Sequence, residues 1–111
     1  MYKFTISLFV ILLHLFITVF SLTPEEQKNL DHLLLKTVKS YISFASDVKL
    51  LLLKGANPNS YDKTGRSALH HAVNKSPDIV ELLLHHGANP NAQDKKGVTP
   101  LSYAAEWEGS D

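Results

Sequence analysis

One spacing governs what this chain can become: a block of ten residues returns after 32 positions. Leu50-Leu51-Leu52-Leu53-Lys54-Gly55-Ala56-Asn57-Pro58-Asn59 recurs as Leu82-Leu83-Leu84-His85-His86-Gly87-Ala88-Asn89-Pro90-Asn91. At the same offset Asp62-Lys63 and Gly65 recur as Asp94-Lys95 and Gly97, and Leu69 and Ala72 as Leu101 and Ala104. A period of this size marks one supersecondary unit that cannot bury its apolar side alone, so neighbouring units must stack.

Within the unit the residues spell helix, turn, helix and polar loop. Ser67 is placed to cap a short first helix, its hydroxyl accepting from a free backbone N–H, with Leu69, Ala72 and Val73 on one side. The small Ala72 lets a neighbouring helix come close. Ser76-Pro77-Asp78 restarts the chain: Ser76 as N-cap, Pro77 where no N–H is needed, Asp78 at the positive helix end. The second helix carries Ile79, Val80, Leu82, Leu83 and Leu84, apolar on more than one face, which requires burial on more than one side. Gly87 ends it in a left-handed cap, and Asn89-Pro90-Asn91 and Asp94-Lys95-Lys96-Gly97 form turns. The run Leu50 to Leu53 reads as core, because its counterpart Leu82 to Leu84 is required by the repeat.

These residues resemble the ankyrin repeat. Thr99-Pro100-Leu101 with Ala104-Ala105 is similar to that family's first-helix signature, and Ser67-Ala68-Leu69-His70 with Ala72-Val73 is a looser copy that keeps the histidine. Val80-Glu81-Leu82-Leu83-Leu84, then Gly87-Ala88 and Asn91, resembles its second helix and loop. The resemblance spans residues 32 to 109 and implies an all-α helix-turn-helix solenoid with β-turn loops, behind an N-terminal hydrophobic helix. It divides the chain into a degenerate repeat at 22–61, a complete one at 62–93 and a truncated one at 94–111. The Ser76-Pro77-Asp78 turn stands where the family has a Gly-His-containing stretch and is one residue shorter, hence 32 in place of about 33.

The first unit lacks the Thr-Pro-Leu-His signature. Thr23-Pro24-Glu25-Glu26 is a capping box instead, and Leu30, Leu33, Leu34, Val38 and Tyr41 at helical spacing predict a longer helix after it. Val48 to Lys54 supplies the second helix of that unit. The last unit stops after its first helix, so no second helix covers Leu101, Ala105 and Trp107. Stacks of this kind need about three units and polar caps. A truncated or decayed gene product without independent activity is therefore the alternative to a working module.

Ahead of the repeats, Lys3 precedes a run from Phe4 to Phe20 without a formal charge, and Val19 and Ser21 sit at the −3 and −1 positions of a cleavage site. Residues 1–21 thus read as a secretory signal peptide or an uncleaved signal-anchor. Lys3 before the run and Glu25 and Glu26 after it keep the N-terminus in the cytoplasm and send the rest across the membrane. The expected location is secreted, or membrane-anchored and facing away from the cytoplasm.

Charge and chemistry narrow the function. Eleven basic and eleven acidic residues cancel, which leaves no footprint for nucleic acid. The absence of cysteine removes disulfides and thiolate chemistry and leaves the redox compartment open. The pairs His70-His71 and His85-His86 have metal-ligating atoms but no acidic or thiol ligands at matching spacing, so neither metal nor cofactor is expected. His85 and His86 suit a helix C-terminus, and the resemblance makes His70 a structural histidine that binds loop backbone. Nothing aligns a base with a nucleophile, and Asp62-Lys63-x-Gly65 lacks the Gly-Lys-Ser/Thr core of a phosphate loop, so an enzyme is not expected.

What the resemblance implies is protein–protein interaction by a monomer through a concave face of loop tips and first helices. By position, that face comprises Tyr61, Lys63, Arg66 and His71 in one unit and Gln93, Lys95, Lys96, Val98 and Tyr103 in the next. Its mixture of aromatic, basic and amide groups suits an interface, and its small size implies modest affinity. Ankyrin-like units behind an export-type segment also resemble proteins of intracellular bacteria that meet host proteins.

Overall fold

The structure, a computed structural model, describes residues 8–15 and 21–109, the side chains of 106–109 excepted. Residues 1–7 and 16–20 of the expected export segment, and the Trp107 side chain, lie outside the described residues. A helical stretch, α1, covers residues 8–15, and its apolar side chains are exposed. Among the described residues no helix is long and apolar enough to cross a membrane.

Five helices follow: α2 (Pro24–Lys39), α3 (Ala45–Leu53), α4 (Ala68–Ala72), α5 (Pro77–His85) and α6 (Pro100–Gly109). The described residues form no strand, only an isolated bridge between Tyr61 and Ser67. The helices lie in two rows. The inner row runs α2, α4, α6 and the outer row α3, α5, with α2 on α3 and α4 on α5 as the rungs. This is an all-α stack in which α4 touches an inner neighbour on each side.

Capping residues decide where the helices start. Thr23 and Glu26 close a reciprocal box over the first turn of α2: Thr23 N–H donates to Glu26 Oε2 at 2.9 Å, and Glu26 N–H to Thr23 Oγ1 at 3.2 Å. Ser76 caps α5 by accepting from Ile79 N–H at 3.3 Å, with Pro77 opening the helix. Ser67 precedes α4 as foreseen and forms a reciprocal box with His70, whose Nδ1 accepts from Ser67 N–H at 3.1 Å and lies 2.9 Å from the Ser67 hydroxyl.

The core is a narrow seam between the rows. Leu34, Val48 and Leu83 are fully enclosed, joined by Val38, Ala68, Leu69, Ala72 and Ile79. Two sequence expectations need correction. The helix from Pro24 ends at Lys39, because Ser40 leaves helical geometry (ψ 142°). Tyr41 therefore falls off the apolar stripe and is 99% exposed, with Ile42 and Phe44 exposed beside it. Leu33 is also half out, since Leu34, Leu35 and Val38 form the packed face. The leucine run is only half core: Leu51 and Leu52 are buried, while Leu50 and Leu53 face outward. A helix turns about 100° per residue, so one seam takes only part of four consecutive side chains. In α5 Ile79 and Leu83 are buried and Val80 and Leu82 pack partly against the core, so the helix is covered by both α3 and α4 as expected, with Leu84 44% exposed on the remaining side.

Candidate functional site

Two matching turns build the loop tips. Asp62 Oδ1 accepts from the backbone N–H groups of Thr64 (2.9 Å) and Arg66 (3.1 Å) and from the Thr64 hydroxyl (2.6 Å). Asp94 Oδ1 accepts from Lys96 N–H (2.8 Å) and Val98 N–H (2.9 Å). Each aspartate thus folds the loop around its own carboxylate and leaves the intervening lysine side chains outside. Gly65 (φ +80°) and Gly97 (φ +78°) close the turns in the left-handed region.

These bonds shift the titration of the groups. Burial pushes the Asp62 carboxyl upward, but the Thr64 hydroxyl, the His71 ring and the backbone N–H groups outweigh it and hold it well below the usual carboxylate range. The Val98 N–H leads the groups that lower Asp94; against burial it is joined by the Lys96 N–H and the Arg66 guanidinium. Burial lowers His71, the Asp62 carboxylate partly restores it, and the Lys39 and Lys75 charges lower it again.

Consecutive units are tied by side chains of one reading the backbone of the next. The buried His70 places Nε2 at 2.7 Å from Val98 O, 28 residues on. A carbonyl can only accept, so Nε2 carries the hydrogen, and Nδ1 is left to accept from Ser67 N–H at 3.1 Å. The Asn59 amide donates to Gly87 O (3.0 Å) and accepts from Asn89 N–H (2.7 Å). Inside the first unit two residues of α2 hold the backbone of its own loop in the same way. Gln27 Nε2 donates to Gly55 O (2.8 Å), and Asp31 Oδ1 accepts from Asn57 N–H (2.7 Å). Lys95 N–H donates to Thr64 O at 3.1 Å.

The nine residues expected on the concave face divide into two sets. Tyr61 is 71% exposed, and Lys63, Gln93, Lys95 and Lys96 are exposed around it and on the next loop. The other four are engaged in the scaffold. Arg66 lies 4.9 Å over the Tyr103 ring with Nε 3.5 Å from Asp94 Oδ2. His71 Nε2 donates to Asp62 Oδ2 at 2.9 Å, and Val98 supplies the carbonyl that His70 holds. At the other helix end His86 Nδ1 donates to Leu82 O at 2.9 Å. Among the described residues no three His, Asp or Glu side chains gather where a metal ion could be held.

A concavity lies beside this face, where sequence reasoning did not place it. A groove of about 1270 Å³ runs between α2 and the 57–64 loop, with Lys28, His32, Lys36, Lys39, Tyr61 and Lys63 on its walls and Leu35 at its floor. Lys39 bridges it, with Nζ 3.6 Å from Asp62 Oδ2. Lys28, His32 and Lys36 stand at i, i+4 and i+8 and so share one helix face, a pattern readable in the sequence. Gln27 was legible too, because it lies 32 residues before Asn59.

A family model described as ankyrin repeats, in three copies, matches residues 35–111. A search of curated proteins finds no match.

Proposed function

The chain belongs to the ankyrin-repeat family, and we propose that it is a docking module whose protein partner lies against its loop tips and inner helix row. Ankyrin repeats are in general protein–protein interaction modules and not catalysts. The observation that carries this reading is the contrast within the face. Asp62, Asp94 and His70 are committed to fixing the loops, while Tyr61, Lys63, Gln93, Lys95 and Lys96 are left outward on a rigid support. A preordered loop loses little freedom when a partner binds, which favours association. Arg66, His71, Val98 and Tyr103 serve as its support.

The reading includes export. The uncharged run after Lys3, followed by Glu25 and Glu26, supports a signal or anchor that carries the repeats across a membrane. N-terminal sequencing of the product checks this: a start near Leu22 in the medium supports cleavage, and a soluble cytoplasmic chain starting at Met1 refutes export. The docking face is tested by affinity capture with wild type, Tyr61→Ala/Lys63→Ala and Lys95→Ala/Lys96→Ala. Loss of captured protein in either variant supports the face; equal recovery by all three removes it.

A further inference from the structure

We propose that the groove between α2 and the 57–64 loop takes an extended acidic segment of the partner, with two carboxylates four residues apart set against Lys28 and Lys36. The proposal rests on the docking reading and names the chemistry of its partner. Four lysines line the groove against two aspartates, Asp31 and Asp62. Both carboxylates are already engaged, Asp31 by Gln27 and the Asn57 N–H and Asp62 by its own turn, His71 and Lys39. Lys28, Lys36 and Lys63 are exposed, and no carboxylate of the described residues pairs with them. The groove therefore presents cations whose counter-charges must come from outside.

Spacing selects the shape of the ligand. Eight residues of helix separate Lys28 from Lys36 by about 12 Å. In an extended chain, residues four apart point the same way and lie about 13 Å apart, and the residue midway comes opposite His32. The sixteen residues of α2 offer about 24 Å, room for about seven residues of such a chain. Tyr61 at the rim offers a ring face to an apolar neighbour in the same segment. A nucleic acid fits less well. The chain as a whole is neutral, the groove contains no arginine, and phosphate-backbone binding draws on a longer row of cations.

The test is fluorescence anisotropy on the full chain in mild detergent. The probe is a short labelled peptide with two glutamates four residues apart, and its twin carries glutamines. The glutamate peptide is expected to bind, to weaken with added salt, and to bind about fivefold more weakly to Lys28→Gln/Lys36→Gln, as two solvent-facing pairs allow. Lys49→Gln/Lys54→Gln, outside the groove, is the charge-matched control and is expected to bind normally. Equal binding of the two peptides, no binding of either, or equal loss in the control pair overturns the proposal. So does an oligonucleotide that binds through Lys28 and Lys36 where the peptide does not. If the Tyr61/Lys63 variant loses captured partner while Lys28→Gln/Lys36→Gln retains it, the docking face stands and the acidic segment falls.

Discussion

Replacing Gly65 and Gly97 by alanine, one at a time, compares two glycines of nearly the same backbone geometry, φ +80° and +78°, in the same Asp-led turn. An L side chain in that region meets a steric penalty of about 1–2 kcal/mol, and reduced freedom of the unfolded chain offsets about 0.4–1 kcal/mol of it. At Gly97 nothing lies within 4 Å of an added Cβ, so Gly97→Ala is expected to cost about 1 kcal/mol in all. At Gly65 the Cβ would sit 2.9 Å from Lys95 N and 3.3 Å from Asp94 C. These are backbone atoms, so no rotamer change relieves the clash. The next loop must move, straining or breaking the Lys95 N–H to Thr64 O bond, at about 1–3 kcal/mol beyond the common backbone penalty. A loss of 1 kcal/mol lowers Tm by about 4–8 °C in a domain of this size. Thermal melts followed by far-UV circular dichroism should therefore place Gly65→Ala at least about 4 °C below Gly97→Ala. Equal losses would refute the stacking of the second loop on the first. A cooperative wild-type melt in the same experiment counts against a product without a fold of its own.

The inter-unit amide gives a second pair: Asn59→Ala should lose about 1 kcal/mol in urea titration, because two bonds to the next loop disappear. Asn91→Ala, 32 residues on, removes no such tie among the described residues and should stay within about 0.5 kcal/mol. In the leucine run, Leu52→Ala (6% exposed) should destabilise by about 2–5 kcal/mol, and Leu53→Ala (67% exposed) by less than about 0.5 kcal/mol. Stability should also fall on acidification. His71 has a lowered pKa, so the folded state binds fewer protons than the unfolded one, and stability is lost as pH drops below the ordinary histidine value of 6.5. Asp62 and Asp94 are lowered as well and withdraw their contribution below 3.8. Urea titrations across this range should show the upper part of the slope flattened in His71→Gln; an unchanged slope there would exclude His71 as its source.

Turns and helix starts were legible in the sequence because Gly, Pro, Asn, Asp and Ser act locally. Thr23, Ser76 and Pro77 specify their helix ends whatever packs against them. The end of α2 was not legible. Tyr41, Ile42 and Phe44 look apolar enough for a core, and only the path to α3 carries them outside. The face was half legible for a related reason. An offset of 32 assigns a position to a unit but does not name a partner, and the copies differ where it matters: Arg66 corresponds to Val98, and His71 to Tyr103. Arg66 and His71 look solvent-facing until Asp94, Tyr103 and Asp62 are brought beside them. The groove escaped notice because one wall lies in α2, outside the repeated block, where lysines at i and i+8 pass for ordinary helix surface.

The direction of the inter-unit ties bears on how such a protein can change. Asn59 and His70 each grip main-chain atoms of the unit that follows, at Gly87, Asn89 and Val98, and Gln27 and Asp31 hold main-chain atoms of the first unit's own loop, at Gly55 and Asn57. Main-chain atoms are the same whatever side chain a residue carries. Provided Asp94 and Gly97 keep the turn, the residues at 93, 95 and 96 can be rewritten without the preceding unit registering it. On the loop-tip part of the face, specificity and architecture are thereby inherited separately: new tips can be grafted onto a frame that reads their backbone and ignores their chemistry.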